Sequence, residues 1–274
     1  MKNLILFSIL FSVFFVNGQR KPKIKGNRTI TEVMEDLPAF NTIKLEDDLT
    51  IFLEASDIPG YSIVADDNLI DIIRFDVTDS VLVVRSFYQI TGKKQLDITV
   101  KYRNLNKIIA EAGEVISSNQ IDTENLDIEI SETSQIELRA KATMMTIDME
   151  GSSKGDFNIE ADSININLRG KSNMSFYGLL QGVKLDMYEN SQAGMEGTSD
   201  HLVAALYGNS DVRAEKMETA TIGAILEEDS KARFFAYKEF QLSASGTSKT
   251  YLWGNPSIFI KQFLNTTELY KREE

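Results

Sequence analysis

The chain has 274 residues, 29 basic and 41 acidic side chains, a formal net charge of -12, one histidine and no cysteine. Such an acidic surface repels a phosphate backbone, so nucleic acid is not an expected partner. Without cysteine there are no disulfides and no structural zinc site, and one histidine excludes a multi-histidine metal site, so stability must come from an apolar core and hydrogen bonds.

The chain opens MKNLILFSILFSVFFVNGQ, which reads as a secretory signal peptide. Lys2 gives a positive start, Leu4 to Val16 an apolar run, and Val16 and Gly18 the -3 and -1 positions of a cut before Gln19. The run is shorter than the roughly 20 residues a spanning helix needs, and no later segment approaches that length. Removal of residues 1–18 leaves 28 basic against 41 acidic side chains, a net charge of -13. The mature chain is expected to be exported, to the periplasm, the cell surface or the medium, with no transmembrane segment. It is long enough for one large all-β domain or two smaller ones.

Residues 19–103 read as an N-terminal β region. FNTIKLEDDLTIFLEA, YSIVA, VLVVRS and LDITVKY are rich in β-branched residues and alternate apolar with polar. DDNLIDIIRFDV places a turn or short helix at Asn68 to Ile73, and Thr78 to Ser80 form a turn before the next strand. This region is expected to be continuous with the segment after residue 103 or to cover its open end, where bare strand edges would template aggregation.

Residues 104–274 carry a repeat. Serine returns at Ser134, Ser153, Ser172, Ser191 and Ser210 in steps of nineteen, then at Ser230, one residue late, and at Ser248, back on the count. Thr267 takes the next slot. Eight, six and four residues before each serine the side chains are mostly apolar, as in Ile164, Ile166 and Leu168 or Val183, Leu185 and Met187. Two and four residues after it stands a second small or apolar pair, as in Met174 and Phe176. Period-two alternation with one buried face is the strand signal. Gly151, Gly170, Gly208 and Gly246 stand two before the serine, with Glu132, Glu189 and Glu228 in other copies; glycine there suits the positive φ of a sharp bend. NKIIAEAGEVISSN gives a weak first copy, with Gly113 in the glycine slot and Val115 in the serine slot.

One strand–bend–strand unit cannot bury its own apolar face or satisfy its edges, whereas a stack of such units in register does both. The pattern predicts an all-β fold, a right-handed parallel β-helix (β-solenoid) with about 19 residues per rung. The serines form a structural column at one corner, able to hydrogen-bond along the stack. An antiparallel sandwich is the rival, but hairpins do not explain a fixed interval.

The succession IKGNRTITEV, FNTIKLEDDLTIFLEA, YSIVADDNLIDIIRFDV, VLVVRS, LDITVKYRNLNKI and the Gly-x-Ser rungs resembles the head GIN domain family, exported proteins of Bacteroidetes-type bacteria described as auto-transporter adhesins. The resemblance covers most of the mature chain. It implies a β-helical fold and a cell-envelope location, and it brings no catalytic residues. Arg28 departs from the glycine- or asparagine-rich start usual in the family.

No phosphate loop, nucleophile elbow or H-E-x-x-H pattern occurs, and no catalytic residue, metal ligand or cofactor is assigned. His201, between Asp200 and Leu202, reads as a surface or corner residue. The carboxylate clusters are Asp47 with Asp48, Asp66 with Asp67, and Glu227, Glu228 with Asp229; glycoside cleavage needs two such groups held about 5 to 9 Å apart across a cleft. Tyr188 and Tyr207, nineteen apart and three before their serines, are the candidate ligand-binding residues on the outer face. The reading is a non-enzymatic surface-binding module recognising a glycan or a cell-surface protein. The alternatives are a carbohydrate-active β-helix enzyme, favoured by a cleft with paired carboxylates, and a structural scaffold, favoured by a large apolar patch.

Overall fold

The computed structural model describes residues 21–273; the segment read as a signal peptide, residues 1–18, lies outside them. The N-terminal elements are β1 (Lys23–Ile24), β2 (Ile30–Asp36), β3 (Thr42–Leu45), β4 (Thr50–Ala55), β5 (Gly60–Asp66), α1 (Asp67–Ile70), β6 (Ile73–Thr78), β7 (Val81–Ser86), β8 (Gln89–Ile90) and β9 (Leu96–Tyr102). Next come β10 (Lys107–Ala110), β11 (Glu114–Asp122), β12 (Asn125–Ile130), β13 (Gln135–Met149), β14 (Lys154–Leu168), β15 (Asn173–Met187) and β16 (Gln192–Leu206). The last are β17 (Asp211–Leu226), β18 (Lys231–Ala244), β19 (Lys249–Trp253), β20 (Ser257–Phe263) and β21 (Glu268–Lys271).

From β10 onward the pairing is parallel, and successive coils lie over one another. Between β14 and β15, Lys154 pairs with Asn173, Phe157 with Phe176 and Leu168 with Met187, each a step of nineteen. The chain is a β-solenoid whose rung is the sequence interval. Within β14 the buried positions are Gly155, Phe157, Ile159 and Ala161, then Ile164, Ile166 and Leu168. The step of three from Ala161 to Ile164 breaks the period of two, so the strand turns a corner at Asp162 and Ser163. Each coil thus has a first wall after the serine and a second wall before the next bend, both facing one apolar core.

The bend needs a left-handed residue. Gly170 has φ +74, and a Cβ on it would lie 2.7 Å from the Gly151 carbonyl oxygen of the coil below. Glu189, one coil on, holds φ +63 with a side chain present, a conformation that costs an L-residue roughly 1–2 kcal/mol. Two residues later sits the serine. Ser134, Ser153, Ser172, Ser191, Ser210, Ser230 and Ser248 are all fully buried, and their carbonyls accept from the next coil, as Ser153 O does from Asn173 N at 3.0 Å.

Hydrogen bonding between the hydroxyls is confined to one end of the column, which corrects the expectation of a bonded stack. Ser248 and Thr267 lie 2.7 Å apart, and Ser134 donates instead to the Ala110 carbonyl at 2.8 Å. The hydroxyls of Ser153, Ser172, Ser191, Ser210 and Ser230 have no hydrogen-bond partner among the described residues. A strand spacing of about 4.8 Å is too long for direct contact between identical rotamers.

Two irregularities of the count have structural causes. The late Ser230 comes from a bulge: Gly194 pairs with Arg213 but Glu196 with Lys216, so Ala214 and Glu215 together oppose Met195. The first copy is shifted from its reading. Val115 pairs with Ile136, not with Ser134, because β11 takes four residues from Ile116 to Gln120 where β13 takes two from Glu137 to Arg139.

Parallel stacking also runs back across residue 103. Ile43 in β3 pairs with Ile108, and Ile51 in β4 with Val115. On the far side of that coil lie β7 and β9, with Leu82 against Ile43 and Ile98 against Ile51. Beyond them the pairing becomes antiparallel: β6 on β7, β5 on β9 and β2 on β5. Helix α1, Asp67–Ile70, overlaps the segment Asn68 to Ile73 read as a turn or short helix and starts one residue earlier, and its Leu69 is fully buried in the core at this closed end.

Candidate binding surfaces

A solenoid lines up equivalent residues, so its outer walls present columns. On the second wall the position three before the serine runs Glu150, Arg169, Tyr188, Tyr207 and Glu227. The rings of Tyr188 and Tyr207 stack at 5.2 Å with planes 11° apart, and the Arg169 guanidinium lies 5.3 Å from the Tyr188 ring centre. Both faces of Tyr188 are therefore occupied within the ladder. Burial, then the Glu227 charge, push the Tyr207 hydroxyl above the usual tyrosine range. Beside the ladder Val203 is 53 % exposed and Ile225 41 %, and Gly223 between them leaves open space, with no atom within 4 Å of where a Cβ would stand. The result is a flat aromatic and aliphatic patch.

A second ladder, which sequence reasoning did not single out as a pair, occupies the first wall near the C-terminal end. Tyr251 stacks on Tyr270 at 5.0 Å, with Arg233 5.7 Å and Arg272 5.1 Å from the Tyr251 ring centre. The nineteen-residue spacing of these tyrosines was the available signal.

The candidate carboxylates act within the fold. Asp47 accepts from Ser86 N at 2.7 Å and pairs with Lys21, while Asp48 is exposed. Asp66 is fully buried and accepts from Lys94 N at 3.0 Å; Asp67 is exposed and accepts from Asn27. Glu227, Glu228 and Asp229 are exposed in one bend, where Thr247 donates to Asp229 at 3.2 Å. The structure brings no two of these clusters together among its short contacts. His201 is exposed at a corner, its Nδ1 2.7 Å from Thr221 Oγ1. No cluster of three or more metal-ligating side chains of the His, Cys, Asp and Glu types occurs among the described residues.

Shallow grooves run between columns. One of about 500 Å³ on the second wall is lined by Glu111, Glu129, Asp148, Glu150, Asn167 and Arg169 among others. Its acids are partly neutralised: Lys107 reaches Glu129 at 2.5 Å, a hydrogen bond that raises the lysine above its usual range, and Asn167 donates to Asp148 at 2.6 Å. Another, of about 400 Å³, lies on the first wall around Gly194.

A stacked two-walled solenoid closed at its N-terminal end and displaying flat aromatic columns defines a repeat protein with extended lateral surfaces. The chain belongs to the family described as "Putative auto-transporter adhesin, head GIN domain", which matches residues 39–180 and 154–256. Among solved structures it is similar to a "putative adhesin" from Parabacteroides distasonis, with a TM-score of 0.69 and 14 % identity over 91 % of this chain and 100 % of that one. A "putative adhesin" from Parabacteroides merdae aligns with a TM-score of 0.64 and 13 % identity over 92 % and 99 %. A "putative lipid binding protein" from Parabacteroides distasonis aligns with a TM-score of 0.62 and 15 % identity over 91 % and 99 %. At these identities the likeness is one of fold. No curated protein matches the chain.

Proposed function

We propose that the protein is a non-enzymatic binding module of the cell envelope, exported and holding a glycan or a surface protein on its outer walls. The carrying observation is the patch of half-buried Tyr188 and Tyr207 beside exposed Val203 and Ile225: an aromatic and apolar surface on a rigid sheet suits a broad contact rather than a reaction. The description of its family as an adhesin supports the same reading, as does the apolar leader of the sequence for export. The cleaving-enzyme alternative draws less support, since the carboxylates singled out for it serve as loop braces or lie exposed in bends. The test is saturable binding of labelled mature chain to a printed glycan array and to intact cells. The Tyr188→Ala/Tyr207→Ala double variant is expected to lose at least tenfold in cell binding with unchanged circular dichroism. Equal binding by the variant, or release of cleaved product from acidic polysaccharides, refutes the assignment.

The scaffold alternative is favoured by one observation. In β20 the residues stacked over Phe240, Leu242 and Ala244 are Ile258, Ile260 and Phe263, yet they are 42–45 % exposed where the coil below is 0–2 %. Ile258-Phe259-Ile260 is palindromic, so a second copy pairing antiparallel about Phe259 would set Ile258 against Ile260 on the core side. Sedimentation of wild type and Ile260→Lys decides it: a dimer lost in the variant supports the scaffold, and a monomer in both removes it.

A further inference from the structure

The insertion that makes Ser230 late is also where a groove opens. The bulge at Ala214 and Glu215 adds a residue to the first wall, and bulges re-aim side chains out of the regular pleat. Here the re-aimed residue is Glu215. Its Oε2 is buried and has no hydrogen-bond partner among the described residues, a state that costs free energy and calls for an explanation. The carboxylate lines the groove of about 400 Å³.

The coil below makes room for it. Gly194 interrupts a column that otherwise carries Asp156, Ser175 and Arg213, and the nearest atom to a Cβ there would be the Met174 carbonyl oxygen, 4.0 Å away. Tyr177 stands beside this notch, 46 % exposed. Its ring, unlike that of Tyr188, stacks on no other ring among the described residues. Asn158 and Arg213 complete the rim with hydrogen-bond donors, and Lys216 is held to Glu196 at 2.8 Å.

The chemistry of this set selects its ligand. A simple anion would meet Asp156, Glu196 and Glu215; a metal cation would meet Arg213 and Lys216. A neutral polyhydroxylated ring suits both, because hydroxyls donate to carboxylates and accept from amide and guanidinium groups, while the apolar face of a sugar ring lies on an aromatic ring. We propose that the groove at Gly194 is a saccharide subsite. A pyranose lies on Tyr177, and one of its hydroxyls donates to the Glu215 carboxylate where it lines the groove. The proposal rests on the binding-module reading and gives it a ligand class and a second location, on the wall away from the Tyr188 patch.

The experiment uses the mature chain on a printed glycan array, then titration of the strongest saccharide hit. Glu215→Gln keeps shape but replaces the acceptor with an amide, and Tyr177→Ala removes the platform. Each is expected to weaken the saccharide at least tenfold, with the melting temperature unchanged or, for Glu215→Gln, raised. Wild-type saccharide affinity in both groove variants overturns the subsite while leaving the binding module intact, as does a blank array together with saturable cell binding. A blank array with no cell binding overturns both.

Discussion

The bend column allows a paired perturbation with opposite signs. Gly170 and Glu189 occupy equivalent slots one coil apart, at φ +74 and +63. Replacing Gly170 with alanine puts a Cβ into a left-handed residue, at roughly 1–2 kcal/mol, offset by about 0.4–1 kcal/mol from a less flexible unfolded chain. The new carbon also stands 2.7 Å from the Gly151 carbonyl oxygen, so the coil below must yield. The net expectation is about 1–2 kcal/mol of destabilisation. Glu189→Gly reverses the terms: the left-handed cost is relieved, glycine's extra unfolded freedom takes back about half, and the gain is about 0.5–1 kcal/mol. At about 2–4 °C per kcal/mol for a chain of this size, Gly170→Ala should lower the melting temperature by about 2–8 °C and Glu189→Gly raise it by about 1–4 °C. Calorimetry on the two variants and wild type is the assay. Shifts of the same sign, or no loss in Gly170→Ala, would show that bend conformation does not limit stability.

Phe157 is fully buried, its ring in the space that a Cβ on Gly155 would enter at 2.3 Å; Phe157→Ala is expected to cost about 3–5 kcal/mol in urea unfolding. Ser191→Ala removes a buried hydroxyl without a partner among the described residues, so its midpoint should stay within about 0.5 kcal/mol of wild type or rise, whereas a loss above about 1 kcal/mol would signal a bonded column. Tyr61, stacked on Phe75 at 3.8 Å, has its hydroxyl pushed up to about 12, first by burial and then by hydrogen bonding to Glu35. Because the folded value lies above the unfolded one, its contribution is full below about pH 10 and lost as pH rises toward 12. Ultraviolet titration should find a late-ionising tyrosine fraction that shrinks in Tyr61→Phe, and that variant should flatten the alkaline fall in stability.

The repeat made most of the architecture legible, because a solenoid converts sequence interval directly into spatial stacking. Ser153, Ser172, Ser191 and Ser210 announced both the rung and the bend, and the apolar positions around them are the core. What the interval did not disclose is non-local. That β7 and β9 slide beneath β3 and β4 depends on pairings between segments without the serine marker. The offset of Val115 turned on two extra residues in β11 between Ile116 and Gln120, invisible without its partner strand. For the surfaces, Tyr188 and Tyr207 were readable as neighbours by spacing, but not the Arg169 that covers one ring face. Glu215 carried a faint signal, the late Ser230, whose meaning as a bulge needed the register of β16 against β17.

The closed end has a consequence for how the molecule comes to be made. Every segment that seals it, from β2 to β9, lies in the first 102 residues, and the coil they rest on, β3 and β4, is interior to them. A chain emerging amino-terminus first can complete its lid before any long strand has appeared. Each later winding then finds a finished template, one edge at a time, so assembly keeps pace with delivery and never requires a distant, unmade partner.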